Sequence, residues 1–569
     1  MKKITDFIVE FLISKGITDV FGYPGGVICH FIDSLSKYNS INGHINYHEQ
    51  ASAFAACGYA QECGKPGVAY STSGPGATNL ITGIANAYYD SIPTIFLTGQ
   101  VDTYGLKGKL NIRQRGFQET DVVDIVTPIT KYAVRIDDPK SIRYELEKAY
   151  DIAISGNPGP VLLDLPADIQ RTIVDETSLI SYEFGRHDKY SAGECVKAII
   201  SLLQKSRQPC FLLGNGVKQC GEKKSIREII EMLDIPVVTS MPAVDLLSYS
   251  HKNNFGFIGA NGHRYGNFIL GKSDLIIVVG SRMDLKQVGS NRSQFADQAT
   301  IFRIDIDCGN LEYKAHNDEI GFVADIKDVI PLLKRNIQRN RFRYSEWRER
   351  CQIIKARLQD YDDRPYTSLI KLFSIILPDD ICVTADVGQS EVWIAQQFQF
   401  KERQSFHISG GHGAMGYSLP AAIGVYYASG KPVVSFNGDG GIQMNIQELQ
   451  FLVRENIPIT VVIINNHSLG MIRGFQEANF DGNYQQTTEK SGYLSANYEK
   501  IARAYGLKYT KIETITDVEV FHFDSGKPQI VEIIISEETT LQPNFGSNGK
   551  IQDQRPYIDR KLYEEIMQL

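Results

Sequence analysis

The sequence predicts an α/β protein of three consecutive doubly wound parallel-sheet domains. Short apolar runs rich in Val and Ile alternate with amphipathic helical patterns along all 569 residues, the rhythm of parallel strands covered by helices on both faces. Several runs end in a glycine-rich turn before the next helical pattern, as at Tyr23-Pro24-Gly25-Gly26, Ser71-Thr72-Ser73-Gly74-Pro75-Gly76, Gly214-Asn215-Gly216 and Gly438-Asp439-Gly440. Two polar or charged stretches, 175–193 and 334–357, interrupt the rhythm and divide the chain.

The first domain is expected over 1–175. It opens with an amphipathic helix, since Ile4, Phe7, Ile8, Phe11 and Leu12 recur at helical spacing. It closes with the strand 160–166, Pro-Val-Leu-Leu-Asp-Leu-Pro. The second domain is expected over 190–335, with strands near 210–214, 235–239, 275–280 and 301–306. The Arg-rich stretch 334–357 reads as a solvated linker with some helix. The third domain is expected over 366–569 and ends in a C-terminal arm. The first and third could be distant copies of one fold, but no repeat is visible in the residues.

Composition narrows the class. With 43% apolar and 22% charged residues the chain is an ordinary globular protein. A net charge of −7 offers no basic field for nucleic acid. Nine cysteines without a Cys-x-x-Cys pair indicate neither a disulfide framework nor a zinc site. No apolar run reaches the roughly 18 residues of a membrane span. Asp6, Glu10 and Lys15 break the apolar run of the N-terminus, so a secretory leader is not expected. The expected location is the cytoplasm.

The chemistry begins in the third domain. Gly438-Asp439-Gly440 is followed after 24 residues by Asn465-Asn466, at the end of the apolar run 458–464. Asp439 offers a carboxylate and Asn466 an amide oxygen, the hard ligands of Mg²⁺, which is usually shared with a phosphate group. Glycines beside Asp439 let the backbone approach a phosphate, and a helix expected over 445–454 would aim its N-terminus there. A metal-clipped diphosphate follows. In the first domain, Glu49 opens the small-residue helix 51–60, close to the turns at Gly25-Gly26 and Gly74–Gly76. Turns at the carboxyl ends of parallel strands line the usual ligand crevice of such sheets, where Glu49 would share a proton with a heterocyclic nitrogen.

These segments, with Ser73-Gly-Pro-Gly-Ala-Thr-Asn79, Phe117-Gln118-Glu119, Asp386-Val-Gly-Gln389, Gly410-Gly-His-Gly-Ala-Met-Gly416 and Leu419-Pro-Ala-Ala-Ile-Gly424, stand in the order of a known family. Over nearly its whole length the chain resembles the acetohydroxyacid (acetolactate) synthase large subunits, which depend on thiamine diphosphate. The resemblance implies a pyrimidine-binding first domain, a central FAD-binding-like domain and a diphosphate-binding third domain. It implies that Glu49 bonds the cofactor's pyrimidine, that Gly413 offers a carbonyl to its amino group and that Met415 props it into a bent shape. Mg²⁺ would be held by Asp439, Asn466 and the backbone of Ser468. Gly25, Gly26, Gly74, Gly76, Gln389, Gly438, Gly440 and Gly441 would border the cofactor, with Phe117 and Gln118 beside the reacting carbon.

In the central domain a Gly-x-Gly alone is equally compatible with a ligand-free Rossmann-like unit. The resemblance implies FAD, held by Gly214, Gly216, Arg282, Asp305, Ile306 and Asp325, with bidentate guanidinium–phosphate pairing at Arg282. In this family the two halves of the cofactor bind different subunits, which implies a homodimer or homotetramer. The implied reaction decarboxylates pyruvate and passes the two-carbon unit to a carbonyl acceptor.

The acceptor side departs from the family. Lys286 stands where keto-acid-joining members carry Arg, and a lysine cannot make the planar two-bond grip on a carboxylate. Phe475 replaces Trp, His30 a proline and His412 an apolar residue. Acetolactate formation therefore stands beside two other readings: transfer to a keto-sugar, and a catalytically silent cofactor-binding subunit.

Overall fold

Each third of the chain folds around a six-stranded sheet whose strands all run parallel. The computed structural model describes residues 1–184, 192–316, 318–340, 342–546 and 549–569. The expected start of the second domain at residue 190, and residues 185–191 of the polar stretch before it, lie outside the described residues.

In the first sheet β1 (Asp19–Gly22), β2 (Asn42–Ile45), β3 (Gly67–Ser71), β4 (Thr94–Gln100), β5 (Tyr132–Arg135) and β6 (Pro160–Pro166) lie in the order β2-β1-β3-β4-β6-β5. The second contains β7 (Pro209–Leu213), β8 (Val237–Thr239), β9 (Asn254–Phe257), β10 (Leu275–Val279), β11 (Thr300–Asp305) and β12 (Ile320–Val323), ordered β9-β8-β7-β10-β11-β12. This is the dinucleotide-fold order, whose switch point falls between β7 and β10. The third contains β13 (Cys382–Ala385), β14 (Ser405–Ile408), β15 (Val433–Gly438), β16 (Ile459–Asn465), β17 (Lys508–Ile512) and β18 (Gln529–Ile534), ordered β14-β13-β15-β16-β18-β17. The first and third sheets thus share one winding, a kinship the residues did not reveal. Central strands such as β4 and β16 are buried along their whole length, which explains their continuous apolar runs.

The first and third domains are packed through two small-residue helices, α1 (Glu49–Cys63) and, later in the chain, the helix Ser418–Ser429. Phe21, Ala55 and Tyr59 share one apolar core with Leu419, Ala422 and Ile423. The helices approach so closely that a Cβ at Gly58 would overlap the Ala421 carbonyl, and one at Gly424 the Ala55 carbonyl. Gly424→Ala should therefore cost about 1–3 kcal/mol by overpacking. Gly474→Ala, where a Cβ meets nothing within 4 Å, should cost none. Thermal unfolding of the two variants checks this, with Gly424→Ala the only one expected to melt early.

Three expectations are corrected. The stretch 334–357 is not a solvated linker, because the helix Ser345–Leu358 buries Trp347, Cys351, Ile354 and Leu358 against the central domain. Those four residues form an apolar stripe that the surrounding arginines mask in composition. The central sheet has two further strands, β9 and β12, too short and glycine-containing to stand out. The C-terminal arm returns to the central domain, where Ile551, Ile558 and Ile566 join its core. No helix among the described residues is long and apolar enough to cross a membrane.

Candidate functional site

Adjacent strands β15 and β16 run in register, Gly438 opposite Ile464, so their ends deliver Asp439 and Asn466 side by side. Asp439, Asn466 and Ser468 are all buried and all line one large cavity of ≈ 1650 Å³. Tyr493 donates its hydroxyl to Asp439 Oδ2 at 2.9 Å, and Tyr498 to the Asp439 carbonyl at 2.6 Å. No basic side chain among the described residues pairs with Asp439, and burial pushes its carboxyl up to about 6. Asn466 donates to Gln389 Oε1 at 2.9 Å, so its amide oxygen is turned away from Gln389. Among the described residues the buried Ser468 Oγ has no partner. No group of three or more His, Cys, Asp or Glu gathers among the described residues. A cation here would therefore rest on one carboxylate and neutral oxygens. A buried uncompensated carboxylate beside amide and hydroxyl oxygens fits Mg²⁺ shared with a diphosphate.

The floor of this half is built by glycine. A Cβ at Gly441 would overlap Asp386 Oδ2, and one at Gly440 would stand 2.5 Å from Leu469 Cδ2 and 3.8 Å from Met415 Cε. Asp386, fully buried, accepts the amides of Gly416 at 3.0 Å and Tyr417 at 2.8 Å. It thereby ties the Gly413–Met415 loop to the Gly438–Gly441 turn, and burial pushes it up to about 6. Gly413, at φ +67, and half-exposed Met415 both face the cavity, as do Gln389, Gly438, Gly440 and Gly441. The helix expected over 445–454 is corrected: 442–448 is 3-10, and the α-helix spans Leu449–Glu455. Asn445 leaves helical geometry because its side chain donates to the Gly416 carbonyl and to Gln50 Oε1.

A second cluster gathers at the strand ends of the first domain. His48 is extended and caps α1 by accepting from the Gln50 amide, which puts Glu49 at the first helical position, 8% exposed. Asn79 Nδ2 donates to Glu49 Oε2 at 2.9 Å, while a Cβ at Gly76 would stand 3.0 Å from Glu49 Oε1. Gly25 is packed on Thr72, and Gly74, at φ +60, on Gln118, itself at φ +65. Gly26 has nothing nearby that a side chain would meet, and Phe117 is 85% exposed. Glu49, Gly25, Gly74, Gly76 and Gln118 are thus brought together, but none of them lines the cavity that holds Asp439. On one chain the two halves stay separate.

The same cavity continues along the central sheet's switch point. Gly216, Arg282, Asp305, Ile306 and Asp325 line it. Gly214 does not; a Cβ there would overlap the Gly280 carbonyl, so glycine is needed where two strand-end turns touch. Arg282 donates to the Tyr89 carbonyl at 3.1 Å, and Asp325 caps the helix Ile326–Arg339 through the Lys327 amide. Burial pushes the Asp305 carboxyl up. Asp90, Ser240, Glu391 and Trp393 line the cavity, and each carries a buried polar atom without a partner among the described residues. Unsatisfied polar groups in a cavity's lining fit a polar occupant, and this groove fits a dinucleotide such as FAD.

The expected acceptor residues are scattered. Lys286 lines the cavity; His412 is exposed and stacked on Tyr89, 5.5 Å between centroids. Phe475 is 58% exposed and meets Phe480 edge-on, while His30 lies in the first domain near Lys3. Burial lowers the pKa of both histidines. Sequence reasoning passed over Asn79, Asp386, Asp90, Tyr493 and Glu391. Asn79 and Asp386 sat inside quoted motifs, whereas Glu391 carried no local signal.

Comparison with known proteins places all three domains in one family. The N-terminal TPP binding domain of thiamine pyrophosphate enzymes matches residues 2–125, their central domain 196–333 and their C-terminal TPP binding domain 386–532. The chain is 35% identical to the acetolactate synthase large subunit of Lactococcus lactis subsp. lactis, over 95% of this chain and 93% of that protein. It is 33% identical to a probable acetolactate synthase large subunit of Methanocaldococcus jannaschii, covering 100% and 98%. It is 31% identical to acetolactate synthase 2, chloroplastic, of Nicotiana tabacum, covering 97% and 85%.

Proposed function

The chain belongs to the acetolactate synthase large-subunit family of thiamine pyrophosphate enzymes, which form carbon–carbon bonds, and on that premise we propose that it joins two pyruvates into acetolactate with release of CO₂. The observation that carries the reading is Asp439 and Asn466 at paired strand ends, in one cavity with Ser468 and Met415. These three would hold Mg²⁺ on the cofactor's diphosphate. Thiamine diphosphate, when bound, supplies a carbon nucleophile that also serves as an electron sink for decarboxylation.

The chain's residues do the rest. Gly413, Met415 and Asp386 would hold the cofactor's ring end in place. Glu49 would hold or release the proton that the pyrimidine nitrogen needs, a general acid–base role. Gln118 and Phe117 would border the reacting carbon. Because Glu49 and Asp439 do not share a cavity on one chain, we infer that two copies bring them together, in a homodimer or a homotetramer. The central groove would take FAD, with Arg282 on its diphosphate and Asp305 on a ribose.

Purified protein given thiamine diphosphate, Mg²⁺ and pyruvate should yield acetolactate, and a yellow preparation would report the flavin. CO₂ release that requires an added keto-sugar would overturn the pyruvate acceptor; the relatives' names lend that alternative no support. No pyruvate turnover with any acceptor would leave only a silent subunit.

A further inference from the structure

The turn that leads into α1 is gripped from outside its own domain. Three side chains of the third domain hold it, all on the run that follows the Gly438–Gly441 turn. Glu448, fully buried, accepts the Asn46 side-chain amide at 2.9 Å and the Tyr47 backbone amide at 2.7 Å. Arg454 donates to the Ile45 carbonyl at 2.8 Å and to the Tyr47 hydroxyl at 3.2 Å. Asn445 bonds Gln50 Oε1 at 3.2 Å, so Glu49 is bracketed on both sides in sequence.

Glu448 is the deepest of these contacts. Its place shortly after Asp439 in the sequence points to service at its own chain's metal clip, but its bonds run the other way. It does not line the cavity that holds Asp439, and both its hydrogen bonds go to the residues just before Glu49. Removing its carboxyl would strand the buried Asn46 amide without an acceptor, a cost that favours a shifted turn. A shifted turn moves the Glu49 carboxyl, and Glu49 does not face the cavity of its own Asp439.

We propose that Glu448 is a positioning residue that acts across the subunit boundary: it sets the Glu49 that its own chain lends to the cofactor clipped by a second copy. This rests on the two-copy site proposed above.

Mixed assemblies test the direction. One chain carries Glu49→Gln and the other Asp439→Ala, and the mixed form is isolated by two affinity tags. It keeps one complete kind of site, formed by Asp439 of the first chain and Glu49 of the second. Glu448→Ala added to the second chain should lower acetolactate formation about 100-fold, the loss that a misplacement of ~1 Å brings. The same substitution added to the first chain should lower it far less. A general loss of stability would weigh on both arrangements alike. Glu448→Asp, which keeps the carboxyl but withdraws it by a methylene, repeats the comparison with a milder change.

Two further readouts use the unmixed protein. Glu448→Ala should bind thiamine diphosphate and Mg²⁺ nearly as wild type does, while deuterium exchange of the bound cofactor's thiazolium proton, followed by ¹H NMR without pyruvate, slows with turnover. Glu448→Gln keeps an oxygen for the Tyr47 amide. Its N–H₂ can meet Asn46 Oδ1, which is buried without a partner among the described residues, once that amide turns over. Most of the wild-type turnover should therefore return. Equal losses in the two mixed arrangements, or a larger loss with the substitution on the first chain, would overturn the proposal while leaving the cross-chain site intact. A mixed assembly that is inactive before Glu448 is touched, or that never forms, would overturn both.

Discussion

Glu49→Gln should lower turnover by about 10²–10⁴-fold, the range of a lost general acid–base group, while thiamine diphosphate still binds. The amide is nearly isosteric, and its oxygen can accept the 2.9 Å bond that Asn79 now makes to Glu49. The cap formed by His48 and the small-residue packing of α1 do not involve the side chain that changes. What is removed is the capacity to hold and release a proton. Glu49→Asp keeps that capacity but withdraws the carboxyl by one methylene, so its activity should fall between the two. Acetolactate assays alongside cofactor titration make the comparison, and near-normal turnover by the Gln variant would end the proton role.

Asp439→Ala should act on binding first. It removes the one carboxylate of the clip and leaves Asn466 and Ser468 as neutral ligands. Loss of an outer-shell partner of a metal typically costs ~10–100-fold in affinity, and loss of the ligand itself should exceed that. The cofactor-free variant should melt no lower than cofactor-free wild type. Burial without a basic partner holds the Asp439 carboxyl up to about 6, so above that pH the folded wild type carries a charge that burial disfavours and the variant does not. The combination separates a binding defect from misfolding. Undiminished affinity for thiamine diphosphate in the presence of Mg²⁺ would refute the assignment.

Much of the architecture is legible in local pattern. Strands such as 459–465 are buried on both faces and must be continuously apolar, and their glycine-rich ends mark where a phosphate can be approached. The stripe Trp347, Cys351, Ile354, Leu358 is hidden because the arginines around it dominate the local composition. Asn445 looked like a helix start, yet its bonds to Gly416 and Gln50, distant in the chain, pull it out of helical geometry.

Gly214 and Gly441 mark the limit more sharply. Both look like phosphate-loop glycines, but the first is required by the Gly280 carbonyl and the second by Asp386 Oδ2. Glu391 is the strongest case. Nothing in Gln389-Ser390-Glu391-Val392-Trp393 separates it from a solvated helix residue, and only packing reveals it as buried, its Oε2 without a partner among the described residues.

By itself, then, the sequence determined the α/β class, the three units, the family and the thiamine diphosphate motif. Periodicity and turn chemistry act over a few residues, and a motif in order needs no contact map. Only the tertiary structure decided the shared winding of the first and third sheets, the separation of Glu49 from Asp439 on one chain, and the burial of Glu391. Those depend on which distant backbones meet and which polar atoms lose their water, and both are properties of packing that no local window contains.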